Sequence, residues 1–241
     1  MELLEVPAPT PYRVAFSTRL GGASGGPYRS LNLGLLTEDD QTLVVENRRR
    51  LARSVGADPA QASSAWQQHG TRVERATRLG LRPSRDELPR CDGLTTDEPG
   101  VAMMLVTADC LPIAVWTSEG APALAVLHAG WRGLSAGIVE RGCRALGGGT
   151  LGAAIGPAIG PCCYEVGEEV AAPFRQRFGD DVVSGRHLDL PTAAERALLR
   201  AGCTSVVRLD SCTCCDERRF FSHRRDKGTT GRQGIIGYVD G

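Results

Sequence analysis

The sequence predicts an α+β fold: a single domain spanning residues 1–241, with mixed β-sheets flanked by helices. Three observations carry this prediction. Short apolar runs bounded by Gly, Pro or polar turns crowd the middle of the chain and are too short for helices. Amphipathic runs at helical spacing alternate with them. Some strands follow one another across short links and others across helical crossovers, which a purely parallel winding would not do. There is no internal repeat and no long linker, and 241 residues suffice for a substantial core.

Taken in order, Arg13 to Ser17 reads as a short strand that runs into a Gly/Ser-rich loop, TRLGGASGGPY. A helix is predicted from Asp40, a good cap, to Val55, with Leu43, Leu51 and Val55 on its apolar face. Ala76 to Arg90 is the most polar, loop-like stretch. Strands are predicted at Val101–Thr107, Pro112–Thr117, Ala123–His128, Leu151–Ile155 and Ser205–Leu209. Helices are predicted at Leu134–Leu146 and at Val166–Phe178, the latter with an i, i+4 series closed by Gly179. A last helix is predicted at Pro191–Ala201, between Asp189 and Gly202.

Composition narrows the function. The 28 basic and 28 acidic residues cancel, so no global field recruits nucleic acid or an anionic membrane. No apolar run reaches membrane-spanning length. Lys227 is the only lysine, and RRDKGTT does not fit a phosphate-loop motif. The start, MELLEVPAPTPYR, lacks a basic region followed by an apolar one, so no signal peptide is expected. The nine cysteines then read as reduced thiols of a cytoplasmic protein.

Three segments carry the chemistry: QQHGTRV with His69, LVTADCLPIAVW with Cys110, and ALAVLHAGWRG with His128. Two imidazoles and a thiolate make a three-ligand zinc shell with a fourth position left for water or substrate. Alone, each residue reads more ordinarily as a packed thiol or a hydrogen-bonded imidazole. The joint case rests on the neighbours: Asp109 beside the thiol, Gly70 after the first histidine, and Gly130 to Gly133 after the second.

At this point the chain resembles the YfiH-type purine nucleoside phosphorylases, known earlier as laccase-like multicopper polyphenol oxidases. The resemblance runs over nearly the whole chain: FSTRLGGAS, SLNLG, VVENRRRLA, QQHG, CDGLTT, TADCLPI, HAGWRG, IGPAIGPCCYEVG and FFSHRRDKGTTGR. It implies a zinc site of His69, Cys110 and His128 in a domain of α/β sandwich type. It also implies phosphorolysis of adenosine, inosine, guanosine and methylthioadenosine to free base and ribose 1-phosphate, with adenosine deamination as a second activity. This chain departs from the family in two places. Gln68 stands where a hydrophobic residue often precedes the motif histidine, and Cys212–Cys215 reads CTCC where the family keeps mainly the first cysteine.

The residues can be assigned roles on chemical grounds. A zinc with an open position lowers the pKa of bound water from about 15.7 to about 7, and attack at C6 of adenine also needs a carboxylate to move protons. Asp109 is the best-placed acid, its alternative being a turn-capping residue that orients a ligand. Cys110 and His128 complete the expected catalytic set. Phosphorolysis needs phosphate held beside C1′, which suits the guanidinium fork. Arg19 is the first candidate for phosphate and substrate, followed by Arg132, Arg225 and Arg232, for each of which a surface ion pair is the more ordinary reading. Four histidines are too few for a multicopper centre, although Cu²⁺ can compete with Zn²⁺ at a nitrogen/sulfur site.

His187 and His223 are expected outside the ligand set. Tyr164 and Glu165 read equally as site-lining or structural, Cys162 and Cys163 as packing. Cys212, Cys214 and Cys215 form a cluster open to a second metal or to redox chemistry. Two other readings compete with the zinc enzyme: a metal-free cysteine hydrolase or amidase using Cys110 and His128, and a non-catalytic, zinc-stabilised binding protein.

Overall fold

Two mixed β-sheets packed face to face form the centre of the computed structural model, which describes residues 1–81 and 85–241. The strands are β1 (Leu3–Glu5), β2 (Tyr12–Ser17), β3 (Ser63–Ser64), β4 (Val73–Arg75), β5 (Gly93–Thr96), β6 (Met103–Thr107) and β7 (Leu111–Thr117). They continue with β8 (Leu124–Ala129), β9 (Leu151–Ile155), β10 (Val183–Ser184), β11 (His187–Leu188), β12 (Cys203–Arg208) and β13 (Gln233–Val239). The helices are α1 (Gln41–Ser54), α2 (Trp131–Ala136), α3 (Ile138–Ala145), α4 (Glu168–Phe178) and α5 (Leu190–Arg200). One sheet runs β1-β2-β13-β6-β3, the other β12-β9-β7-β8-β5-β4, and β10 and β11 form a separate hairpin.

Both sheets are mixed, as predicted. β3–β6, β4–β5 and β9–β12 pair in parallel, and the other pairs run antiparallel. Phe16, Met103, Leu105 and Ile235 of one sheet meet Ala114, Trp116, Leu124 and Val126 of the other in a shared core. The outer face of the six-stranded sheet, including Ile113, Val115, Leu127 and Ala153, is covered by α3, α4 and α5. Met104 and Ile236 on the outer face of the five-stranded sheet pack with Leu51 of α1. Every position of β7 and β8 is therefore buried, which is why these strands read as continuous apolar runs without alternation.

Several boundaries differ from the sequence reading. The helix predicted at Leu134–Leu146 is two helices, α2 and α3, because Gly137 takes a left-handed conformation (φ 94°) that breaks the run. The buried face of α1 is rotated from the predicted one, carrying Val44, Val45, Asn47, Arg48, Leu51 and Ala52 and leaving Leu43 half-buried. Asn47 is accommodated by hydrogen bonds to Ser24 Oγ, Ser30 O and Asn32 O and from the Ala23 amide, which tie the glycine-rich loop to the helix. Asp40 does cap α1, accepting from Thr42 N at 2.8 Å, and Asp189 caps α5 by accepting from Thr192 N at 2.9 Å. β13 lies between β2 and β6 and was missed, since its two glycines blur the strand pattern. Positions 82–84 of the polar stretch Ala76–Arg90 lie outside the described residues. No helix among the described residues is long and apolar enough to cross a membrane.

Candidate metal centre and active-site cavity

The β7–β8 hairpin brings Cys110 and His128 together. Pro112 pairs with His128 and Leu111 with Ala129, so the residue just before β7 faces the end of β8. His69 arrives from the loop between β3 and β4, in a left-handed conformation with φ 58°. One donor atom from each of the three lies within 4.8 Å of the others, and the two imidazoles meet edge to face with centroids 4.8 Å apart.

One buried carboxylate organises this meeting. Asp92, 1% exposed, accepts hydrogen bonds from the backbone amides of Gln68, His69 and Gly70 at 2.8–3.1 Å. Its Oδ1 also lies 2.9 Å from His128 Nδ1, leaving His128 Nε2 for the cluster. Burial disfavours the Asp92 charge, but the His128 hydrogen bond and the Gly70 and Gln68 amides outweigh it and lower the pKa. Asp92 carries no local signal of this role in CDGLTT, because its partners come from distant segments.

Electrostatics couples Cys110 to His128. Burial opposes ionisation of the thiol, yet the His128 charge and hydrogen bonds from both imidazoles bring its pKa down to about 6. Burial likewise opposes the His128 charge, but the Cys110 thiolate and then Asp92 raise its pKa to about 9. The chain thus favours a thiolate poised against an imidazolium.

The local backbone leaves room for an ion. Gly130, between β8 and α2, would place a Cβ 3.0 Å from Cys110 Sγ and 3.1 Å from His69 Cδ2, inside the space that the donors face. Two imidazoles, one thiolate and this cradle fit a zinc ion held by three protein ligands, and the same donors suit copper.

The donors border a cavity of about 490 Å³, within the usual range of small-molecule sites. A larger, shallow depression of about 730 Å³ near Arg72, Arg141 and Arg144 contains none of them. Asp109 borders the cavity with φ 86°, a strained conformation for a non-glycine residue. Its Oδ1 accepts from Thr213 Oγ1 at 2.6 Å and its Oδ2 from the Arg224 amide at 2.7 Å. Trp66, Trp131 and Tyr164 contribute aromatic walls, and His223 reaches the lining without joining the donor group.

The arginines divide differently from the sequence expectation. Arg132 and Arg232 border the cavity, and Arg132 stacks on Trp131 with its Cζ 4.3 Å from the ring centroid. Arg19 and Arg225 are not in the lining. Arg19 donates to Arg29 O and Glu217 O and stacks on Phe221, while Arg225 pairs with Asp226 and donates to Thr213 O and Phe220 O. Both guanidiniums brace loops.

Arg48 was missed altogether. It is 2% exposed and borders the cavity, with Nε on Leu33 O (2.8 Å) and Nη2 on Ser64 Oγ (3.1 Å). Its Nη1 has no hydrogen-bond partner, and burial lowers its pKa to about 10. A charged residue on a helix face reads as solvent-facing in sequence, so no local signal marked it.

The fold is an α/β sandwich in which a cluster of two imidazoles and one thiol that could hold a metal ion borders a cavity. Residues 13–239 match the family model described as multi-copper polyphenol oxidoreductase laccase, and the chain belongs to that family. It is 38% identical to the purine nucleoside phosphorylase YlmD of Geobacillus stearothermophilus, over 90% of this chain and 86% of the relative. With the purine nucleoside phosphorylase of Pseudomonas aeruginosa the identity is 40%, over 92% of each. The crystal structure of the Geobacillus stearothermophilus YlmD superimposes with a TM-score of 0.90 at 35% identity, covering 100% of this chain and 97% of that one.

Proposed function

We propose that this chain is a zinc-dependent purine nucleoside phosphorylase that also deaminates adenosine. The observation that carries the reading is the convergence of His69, Cys110 and His128 on a cavity bordered by Arg48, Arg132 and Arg232. The names of relatives at 38–40% identity support it. Substrates would be adenosine, inosine, guanosine or methylthioadenosine together with phosphate, and nine unpaired thiols suit the cytoplasm.

In phosphorolysis a phosphate oxygen bonds to C1′ as the C1′–N9 bond breaks, and the base leaves with the bonding electrons and takes up a proton. Arg48 and Arg232 seat the phosphate in this proposal. Arg48 is already fixed through Nε and Nη2, and its buried Nη1 has no partner within the protein. Arg232 feels the charges of Cys110 and Asp109, which places a cation beside the metal donors. Trp66, Trp131 and Tyr164 provide flat walls for a purine. Asp109, held by Thr213 and the Arg224 amide, is the carboxylate proposed to move protons in deamination, where water replaces the C6 amino group and ammonia leaves. His69, Cys110 and His128 would hold zinc, with copper able to replace it, and the bound ion would supply a Lewis acid with a vacant position.

A second reading is favoured by one specific observation. Cys110, His128 and Asp92 form a thiol–imidazole–carboxylate series, the arrangement a metal-free cysteine hydrolase or amidase needs. Full activity in chelator, lost on alkylation, would select it. Incubating metal-loaded protein with adenosine, with and without phosphate, tests the first. Adenine plus ribose 1-phosphate reports phosphorolysis and inosine reports deamination; the absence of both products would refute the proposed function.

A further inference from the structure

The cysteine-rich turns form a second donor cluster, away from His69, Cys110 and His128. β9 and β12 are parallel neighbours, so the loops that follow them leave the sheet at the same end. They stay joined through a parallel bridge between Ala158 and Cys212. This brings PCC at Pro161–Cys163 against CTCC at Cys212–Cys215. The Sγ atoms of Cys162, Cys163, Cys212 and Cys215 all lie within 4.8 Å of one another. Cys215 Sγ is 3.4 Å from that of Cys162 and 3.3 Å from that of Cys163.

These are not disulfide distances, since a bonded pair would stand about 2.05 Å apart, and all nine cysteines are free. Four sulfurs around one ion at about 2.3 Å define a tetrahedron with edges of about 3.8 Å, close to the spacing found. Cys212 and Cys215 have the C-x-x-C spacing of a zinc half-site. The Gly160 amide donates to Cys212 Sγ at 3.3 Å, a contact that favours a thiolate. Packing does not explain the group, because Cys162 and Cys215 are exposed. Cys143 and Cys203 show the contrast: both are buried in the apolar core, where a thiol serves as a small hydrophobe.

We propose that Cys162, Cys163, Cys212 and Cys215 form a second, tetrathiolate zinc site. Four protein ligands close the coordination shell, so this ion is structural. It staples together two loops that shape the cavity. Tyr164, next to Cys163, borders the cavity, and Thr213, between the other ligands, donates to Asp109. The proposal is independent of the nucleoside reading.

The test counts zinc in protein refolded or reconstituted with the metal under reductant. Wild type should hold two zinc ions per chain, Cys162→Ser/Cys215→Ser one, and Cys214→Ser two. Cobalt in a His69→Ala/His128→Ala variant should give the intense sulfur-to-metal absorption of a tetrahedral thiolate site. One zinc in wild type and in the double serine variant alike overturns the proposal. An independent check needs only the wild type: zinc should protect Cys162 and Cys215 from alkylation, and a chelator should expose them. Equal alkylation with and without zinc would also overturn it.

Discussion

Asp92 Oδ1 lies 2.9 Å from His128 Nδ1 while the same carboxylate receives the amides of Gln68, His69 and Gly70. One buried side chain therefore sets the tautomer of one proposed ligand and the backbone position of another. Asp92→Asn keeps the shape but removes the charge that holds His128 Nδ1–H. Loss of such a partner costs about 10–100-fold in metal affinity, and competition with a chromophoric chelator measures it. Because the Asp92 pKa is lowered on folding, its contribution is present above the ordinary carboxylate range and is lost as pH falls through the depressed value. The wild type should lose stability on acidification more steeply than Asp92→Asn.

Gly130→Ala tests the cradle. The added methyl would enter the space between Cys110 Sγ and His69 Cδ2. We expect an intact fold by circular dichroism and less than half the wild-type occupancy of the His/Cys centre, measured on the Cys162→Ser/Cys215→Ser background. Full occupancy would show that the donors do not need this space.

Metal binding at the His/Cys centre should depend on pH in a direction fixed by Cys110 and His128. Between about pH 6 and 9 the pair holds one proton, on His128, with Cys110 ionised. The ion needs a neutral imidazole and a thiolate, so binding expels that proton. From these two groups, affinity should rise about tenfold per pH unit through this window and level off above about pH 9. Below about pH 6 the slope should steepen as Cys110 also protonates. Calorimetry in buffers of different ionisation enthalpy counts the protons released.

Arg48→Met separates the two proposed reactions. Removing a charge-assisted hydrogen bond worth about 1.5–3 kcal/mol should raise the KM for phosphate about ten- to a hundredfold. Adenosine deamination, which consumes no phosphate, should persist. At equal concentration, phosphate should also raise the Tm of the wild type more than that of Arg48→Met.

Much of this molecule is legible in the sequence where the signal is local. β7, β8 and β9 are short apolar runs with clear ends, and His69, Cys110 and His128 stand in distinctive segments. What escaped depends on distant pairing. Asp92 matters because β5 pairs with β8, placing Gly93 opposite Leu127 and the carboxylate beside His128. Cys162 and Cys163 look like packing residues until parallel β9 and β12 deliver them to Cys212 and Cys215. Arg48 sits on a helix face whose apolar periodicity points elsewhere, and its burial is set by the strands and loop beneath it. Arg19 and Arg225 lie outside the cavity lining, and loop carbonyls, invisible in the local sequence, take up several of their donors.

The most direct test is X-ray absorption at the zinc edge of the Cys162→Ser/Cys215→Ser protein loaded with one equivalent of metal. The account predicts two imidazole nitrogens at about 2.0–2.1 Å, one sulfur at about 2.3 Å and one further light-atom ligand from solvent. A shell without sulfur, or one closed by four protein donors, would contradict it.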